Sequence, residues 1–232
     1  TCFKDGATAF NAQKRGTIHG NAEINGKISA ALFEWSESVG IPTHYIDSPV
    51  ATQMRVKAVK IIPIEVVVRN IAAGSLCRQT GLPEGRVLPA PLVEFYLKND
   101  ELGDPLLTRD RLFLLELITP SQLEEIQTMA LSIDRELTNF FRDCDITLVD
   151  FKLEFGIDSG NKIILADEIS PDTCRLWDNT QPDPQARVMD KDRFRRDLGD
   201  VESAYQQVQQ RVLSKISHWH DCAKHRLRDR DN

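Results

Sequence analysis

The stretch Ile146-Thr147-Leu148-Val149-Asp150-Phe151-Lys152-Leu153-Glu154-Phe155 alternates apolar and polar side chains, and Asp158-Ser159-Gly160-Asn161 soon after it is turn chemistry. This pattern constrains the chain to an antiparallel hairpin, with strands over 146–155 and 162–169. Side chains alternate faces along a strand, so Val149, Phe151, Leu153 and Phe155 share an apolar face. Asp150, Lys152 and Glu154 share the other. Closing the hairpin at 158–161 pairs Ile157 with Lys162, Glu154 with Leu165 and Lys152 with Asp167, which brings Asp167 to the ionisable face. Glu154 and Asp167 are then diagonal neighbours able to hold one cation, and hard oxygen ligands of this kind suit magnesium, whose remaining ligands are waters and phosphate oxygens. The competing reading is a solvated sheet face of mixed charge. Against it stands Asp167-Glu168-Ile169-Ser170-Pro171-Asp172-Thr173-Cys174-Arg175, which puts more carboxylates and an anion-binding arginine close by.

Around this hairpin the pattern is mixed α and β. Ile24, Ile28, Leu32, Trp35 and Val39 form one stripe of a helix over 24–39, ended by Gly40 and Pro42. Residues 53–60 and 64–70 read as strands flanking Pro63, and Ile64 to Val68 is apolar throughout, as in a strand buried on both faces. Residues 92–98 read as a further strand. Thr119 is an N-cap with Pro120 at the first helical position, and the helix runs to Arg142 with Leu123, Ile126, Ala130, Ile133, Leu137 and Phe141 inward. A polar loop over 178–189 precedes helices over 190–198 and 200–217, and the tail from Ser214, with His218, His220 and His225, reads as a fraying helix end whose histidines have no role.

A second constellation is Arg69-Asn70-Ile71-Ala72-Ala73-Gly74-Ser75, an apolar strand ending in arginine and feeding a small-residue loop that opens a helix. Free N–H groups at a helix start attract phosphate, Gly74 admits a ligand close to the backbone, and Arg69 adds a bidentate contact. An ordinary strand-to-helix turn with a surface arginine fits the pattern equally well. Neither a P-loop nor a G-x-G-x-x-G loop is present.

Bulk properties exclude several classes. A net charge of -6 is wrong for a general nucleic-acid binder. No apolar run approaches a membrane span, and TCFKDGATAF has no signal-peptide layout, which points to a cytoplasmic chain. The five cysteines, Cys2, Cys77, Cys144, Cys174 and Cys222, are odd in number and widely spaced, so neither a disulfide framework nor a zinc site is expected.

Taken together, several motifs resemble the SAICAR synthetase family, the phosphoribosylaminoimidazole-succinocarboxamide synthases of purine biosynthesis. They are Glu65-Val66-Val67-Val68-Arg69-Asn70 running into Ala72-Ala73-Gly74-Ser75-Leu76, Phe95-Tyr96-Leu97-Lys98-Asn99-Asp100, and Asp150-Phe151-Lys152-Leu153-Glu154-Phe155-Gly156. They continue through Ala166-Asp167-Glu168-Ile169-Ser170-Pro171-Asp172, Arg175-Leu176-Trp177-Asp178 and Asp190-Lys191-Asp192-Arg193-Phe194-Arg195. The resemblance runs from about Phe3 to Leu213.

The resemblance implies an α+β fold of two lobes, ATP-grasp or kinase-like, with antiparallel sheets and flanking helices: a nucleotide lobe over 1–70, a substrate and metal lobe over 71–213 and a polar tail over 214–232. It implies a ligase using ATP and Mg2+, with carboxyaminoimidazole ribonucleotide and L-aspartate as substrates. ATP phosphorylates the ribonucleotide carboxylate and the aspartate amine displaces the phosphate. Carried over residue by residue, Glu154 and Asp167 face the nucleotide and its magnesium, Lys98 meets the phosphates, and Val56 and Lys57 lie at the adenine hinge. Arg69, Ser75 and Arg175 hold the ribonucleotide, Asp150, Lys152 and Asp172 line the reacting centre, and Asp104 is a further substrate contact. For Lys57 and Asp104 plain exposure is the equal alternative.

The chain departs from the family on the nucleotide side. The family's opening hairpin with its Gly-Lys-rich loop has no counterpart before Phe3, Gly6 stands where Asp is usual, and Ala12-Gln13 replaces a Gly-Lys pair. An incomplete N-terminal lobe would expose a sheet edge, a route to a homo-oligomer. Two rival functions follow: a ribonucleotide- or protein-binding remnant without turnover, and a kinase-like phosphotransferase that makes ADP without aspartate.

Overall fold

The structure, a computed structural model, describes residues 1–9 and 14–228; Ala12 and Gln13 lie outside the described residues. The chain opens with an antiparallel pair, β1 (Gly6–Ala9) and β2 (Lys14–Thr17), then α1 (Asn21–Ser38) and a second pair, β3 (Tyr45–Val50) and β4 (Gln53–Val56). β5 (Lys60–Ile61), β6 (Ile64–Ile71), α2 (Gly74–Thr80), β7 (Val87–Leu97), a 3-10 turn (Asp100–Leu102), β8 (Leu106–Leu107), α3 (Arg109–Leu114) and α4 (Pro120–Arg142) follow. The chain continues with β9 (Ile146–Ile157), β10 (Ile163–Ala166), β11 (Cys174–Asp178), α5 (Asp192–Arg195) and α6 (Val201–Arg228).

The long strand β9 organises the main sheet, in the order β10-β9-β6-β7-β8, with β5 and β11 also paired to β9. One edge of β9 carries β11 along Ile146–Phe151 and β10 along Glu154–Ile157. The other carries β6 along Asp150–Leu153 and β5 at Gly156 and Ile157. All these pairings are antiparallel. β6 is consequently buried at Ile64, Val66 and Val68 but only partly at Glu65 and Val67, rather than on both faces. The boundary expected between residues 70 and 71 falls inside β6, one residue before its end.

The sequence-level hairpin forms with a different register. Ile163, not Lys162, lies opposite Ile157, and Ala166 lies opposite Glu154. A one-residue slip sends a side chain to the other face, so Asp167 is not paired with Lys152 as expected. β10 ends at Ala166, and Asp167 takes a left-handed backbone with φ 61. The turn, not the ladder, aims its carboxylate. A second irregularity lies across β11, where Arg175 pairs with Asp150 and Leu176 with Leu148. Val149 is thus the extra residue of a β-bulge. It packs with Ala73, Trp177 and Val188 instead of sharing the main core with Phe151, Leu153 and Phe155.

α4 covers the apolar face of the sheet with Leu123, Ile126, Ala130, Ile133, Leu137 and Phe141, all buried. Its start is a full capping box: the Thr119 side chain accepts from Gln122 N, and Gln122 Oε1 accepts from Thr119 N. Asn70 points to this face, donating to the buried Asp134 of α4 at 2.7 Å, while its neighbour Arg69 points to the opposite one. α1 and α6 pack together, and α6 continues to Arg228, so the tail from Ser214 extends the helix well past the expected end at 217. The His220 ring lies edge-on to its neighbour Trp219, and His218 also has an interaction; the side chain of His225 is outside the described residues.

Candidate active site

The face of β9 away from α4 carries Asp150, Lys152 and Glu154, and each gathers partners from neighbouring strands. The Lys152 ammonium lies 2.8 Å from Glu154, 3.0 Å from Glu65 of β6 and 3.5 Å from Asp167. Burial by itself would lower its pKa, but the three carboxylates outweigh burial and hold the proton firmly. Glu154, 2 % exposed, also accepts from Lys98 at the end of β7. Burial acts to raise its pKa, and the two ammonium groups more than reverse this. Asp167 goes the other way: burial and the nearby Glu154 raise it beyond what Lys152 and Lys98 recover. Two carboxylates repel each other here over a pair of lysines.

The other end of the face is built on arginine. Arg69 donates to Asp150 at 2.8 Å, to Glu94 at 2.6 Å, to Ser75 at 2.9 Å and to the Tyr96 hydroxyl at 3.2 Å. Arg175, delivered by β11 opposite Asp150, shares the same Asp150 oxygen and pairs with Asp192 at 2.7 Å. Its burial disfavours the charge, and Asp150 and Asp192 overcome this. Gly74, at φ 54, leaves room for that guanidinium: a Cβ there would sit 2.6 Å from Arg175 Nη2. These groups border a cavity of about 510 Å³ lined by Gly74, Ser75, Arg78, Arg175, Arg195 and Arg196 among others.

The remaining expected residues lie around these two ends. Asp172 accepts from the Tyr205 hydroxyl of α6 at 2.7 Å and lies 3.6 Å from Lys191, while the adjoining Thr173 carbonyl bonds the Lys152 N–H at 2.8 Å. Val56 closes β4 opposite Tyr45. Lys57 turns its ammonium to the Thr43 carbonyl at 2.8 Å, and its N–H is taken by the His44 carbonyl at 2.6 Å. Asp104, in a left-handed conformation, accepts from Asn99 N at 2.8 Å and closes the turn after Lys98.

Glu65, Glu94, Tyr96, Asp192, Arg78, Arg195 and Arg196 join the site with no role assigned from sequence, although Glu65, Tyr96, Asp192 and Arg195 stand within the family motifs. The period-two alternation used for β9 selects Glu65 with Arg69 on β6, and Glu94 and Tyr96 on β7 in step with Lys98 just past its end, so the first three were within reach. Asp192 and Arg195 stand in the 190–195 motif but, like Arg78 and Arg196, come from helices and loops with no strand periodicity to aim them.

Magnesium fits this donor set. Among the described residues no group of three or more His, Cys, Asp and Glu is arranged to hold a metal ion. Magnesium bound with phosphate, however, takes only one or two carboxylates from the protein. The raised Asp167 beside Glu154 marks a carboxylate pair that a cation would relieve.

The SAICAR synthetase family profile matches residues 1–212. The phosphoribosylaminoimidazole-succinocarboxamide synthase of Synechocystis sp. is 69% identical over 216 residues, covering 93% of this chain and 82% of the relative. That of Picosynechococcus sp. is 66% identical, covering 93% and 86%. Among solved structures, the synthase from Ehrlichia chaffeensis superimposes with a TM-score of 0.87 at 41% identity over 91% of this chain and 89% of its own. A SAICAR synthetase solved in complex with ADP does so with a TM-score of 0.87 at 43% identity, over 91% and 88%. With a profile that spans nearly the whole chain, relatives at this identity, and a fold that superimposes over 91% of it, the chain belongs to the SAICAR synthetase family.

Proposed function

We propose that the chain is an ATP-dependent ligase that joins L-aspartate to carboxyaminoimidazole ribonucleotide through an acyl phosphate, in de novo purine biosynthesis. The observation that carries this reading is the division of labour along one strand. Asp150 gathers Arg69 and Arg175 at one end, and Lys152 and Glu154 gather Glu65, Lys98 and Asp167 at the other. An anion-holding end and a cation-and-phosphate end thus adjoin, as transfer of phosphoryl to a bound anionic substrate requires.

A carboxylate oxygen is a poor leaving group and phosphate a good one. In the first step the bond from the γ-phosphorus to its bridging oxygen breaks as a bond to the substrate carboxylate forms, and ADP departs. In the second, the aspartate amine nitrogen bonds to the acyl carbon, the carbon–oxygen bond to phosphate breaks, and the nitrogen releases its proton. Lys98 and Lys152 exchange carboxylate partners for phosphoryl oxygens, holding positive charge where negative charge develops. Glu154 and Asp167 would hold a magnesium ion, whose charge offsets that of the phosphates. Arg69, Ser75 and Arg175 hold the ribonucleotide, with its phosphate in the arginine-lined cavity, and Asp150 fixes both guanidinium groups. Asp172 lines the reacting centre from the loop beside Lys152. Val56 and Lys57 lie at the base of the nucleotide; with the Lys57 N–H already bonded, the carbonyl is the main-chain group left to read it. Asp104 supports Lys98 by closing its turn. Residues 1–70 form the nucleotide lobe and 71–213 the substrate and metal lobe; β6 crosses between them and carries Arg69 to the ribonucleotide. The reaction takes place in the cytoplasm, with small molecules as its partners.

The test is a coupled assay for ADP with ATP, magnesium, the ribonucleotide and aspartate. Aspartate-dependent ADP release is expected. ADP release indifferent to aspartate would assign a phosphotransferase instead, and ribonucleotide binding with no ADP at all would leave a binding remnant.

A further inference from the structure

We propose that Lys14 of β2 is a positioning residue for the ribonucleotide pocket, acting through α5. The inference rests on the function proposed above and concerns its anion-holding end.

α5 (Asp192–Arg195) is barely one turn, too short to be stable by itself; its N-cap residue Lys191 gives no side-chain cap, and its first N–H is taken instead by Asp190 Oδ1 at 2.7 Å. The pocket nevertheless depends on where it sits. Asp192, its first residue, holds Arg175 Nε and Arg195 Nη1, each at 2.7 Å. Asp192 is buried, so the position of the α5 backbone fixes the direction of both arginines.

The opposite end of α5 is held by a strand that belongs to another sheet. Lys14 Nζ donates to the Phe194 carbonyl at 2.6 Å and to Asp197 Oδ1 at 2.6 Å, and stands 4.9 Å from the centre of the Phe194 ring. The Phe194 carbonyl is in the last turn, where helix carbonyls lack intrahelical donors and the helix dipole is negative; an ammonium there is a C-terminal cap. Gly16, on the same side of β2 as Lys14, completes the seat. A Cβ on Gly16 would approach Phe194 Cε2 to 2.8 Å, so the strand lies directly on the ring. Asp197 is largely exposed, and exposed ion pairs contribute little. The hold therefore resides in the capped carbonyl and the packed ring.

Among the described residues β2 pairs only with β1, in a sheet separate from that of β9. Lys14 thus ties the first hairpin to the arginine end of the site. Loss of its charge would let α5 drift, and the guanidinium groups of Arg175 and Arg195 with it. The predicted signature is weakened ribonucleotide binding with chemistry and nucleotide binding spared.

Lys14→Met keeps the length of the side chain and removes the charge; Lys14→Arg restores a cation able to cap the carbonyl and lie on the ring. Two readouts apply to the full chain: steady-state constants for all three substrates, and backbone amide exchange over residues 192–197 without ligand. For Lys14→Met the ribonucleotide KM is expected to rise about tenfold, with kcat within about twofold and the KM for ATP unchanged. Exchange over 192–197 is expected to accelerate, and Lys14→Arg to recover both effects. An unchanged ribonucleotide KM overturns the proposal, as does a rise in the ATP KM as large as that for the ribonucleotide, which would make Lys14 a nucleotide contact. If the unaltered chain releases no aspartate-dependent ADP, the proposed function fails by itself; amide exchange still decides the role of Lys14, and exchange unaffected by Lys14→Met overturns it.

Discussion

At the scale of single residues, the site depends on positions with little chemistry of their own. Gly74 combines a left-handed backbone with a 2.6 Å approach to Arg175, so Gly74→Ala both strains the turn and displaces the guanidinium. Misplacement of about 1 Å can cost on the order of a hundredfold in rate. The expected outcome is a kcat/KM for the ribonucleotide reduced by about that factor with the KM for ATP little changed; equal losses for both substrates would contradict it. His44 presents a different dependence. It is buried against Phe33, its Nε2 has no hydrogen-bond partner among the described residues, and burial, then the positive amino terminus and Lys57, lower its pKa from 6.5 to about 4. Between pH 6.5 and 4 the unfolded chain takes up a proton that the folded chain resists. Stability from this group is therefore complete above 6.5 and is lost as pH falls through about 4, by up to about 3 kcal/mol. Glu168, whose buried carboxyl is raised to about 7, slopes oppositely, so the measurement is a difference. Denaturation of the unaltered protein and of His44→Phe, compared from pH 7 to 4, is expected to show their stabilities shifting in favour of the variant as acid is added. Parallel curves would refute it. The ionic residues of β9 were legible because strand alternation is a local rule. The orphaned His44 was not, since its burial comes from α1 and its backbone bond from Leu165.

At the scale of elements, the ends of α4 followed from sequence, whereas those of α1, α5 and α6 and the strand registers did not. The capping box of α4 is local chemistry, so Thr119 as N-cap, Pro120 inside it and the end at Arg142 all stand where the residues put them. Thr119→Ala is expected to lower stability by about 1 kcal/mol without altering substrate constants, measured by chemical denaturation; an unchanged midpoint would mean that packing alone holds the helix start. Register is a different problem, because it records which residues of two strands meet. The turn at 158–161 has strong turn residues, yet Asp158 N bonds Lys162 O and the ladder begins at Ile163, one residue later than the count predicted. Asp167 should then have faced away from Lys152. Its left-handed backbone beyond the strand end returns it to the site, so the expected convergence occurs by another route. The bulge at Val149 likewise depends on how β11 lies along β9, which no local pattern encodes.

At the scale of the whole molecule, the site is closed by an element far from it in sequence. Tyr205 of α6 is fully buried and its hydroxyl donates to Asp172 at 2.7 Å. Asp178 of β11 is clasped by Arg211 of the same helix at 2.8 Å and 3.0 Å. Tyr205→Phe keeps the ring in the core and frees the Asp172 carboxylate. It is expected to lower stability by about 1 to 2 kcal/mol and kcat by about tenfold, with the KM values for all three substrates near their original size. A kcat unchanged by this variant would mean that the hydroxyl serves packing alone. What the sequence by itself determined is everything governed by neighbours along the chain: the mixed α and β class, the capped helices, the two-faced β9 and the family its motifs resemble. What only the tertiary structure decided is which side chains from different strands meet: Glu65 and Lys98 with the β9 face, Arg69 and Arg175 on one Asp150 oxygen, Asp172 on Tyr205, and Lys14 on Phe194. The reason is physical. Periodicity and capping act over a few residues, whereas register, bulges and interhelical contacts are set by how all the elements together bury one core, and each such choice decides what faces the site.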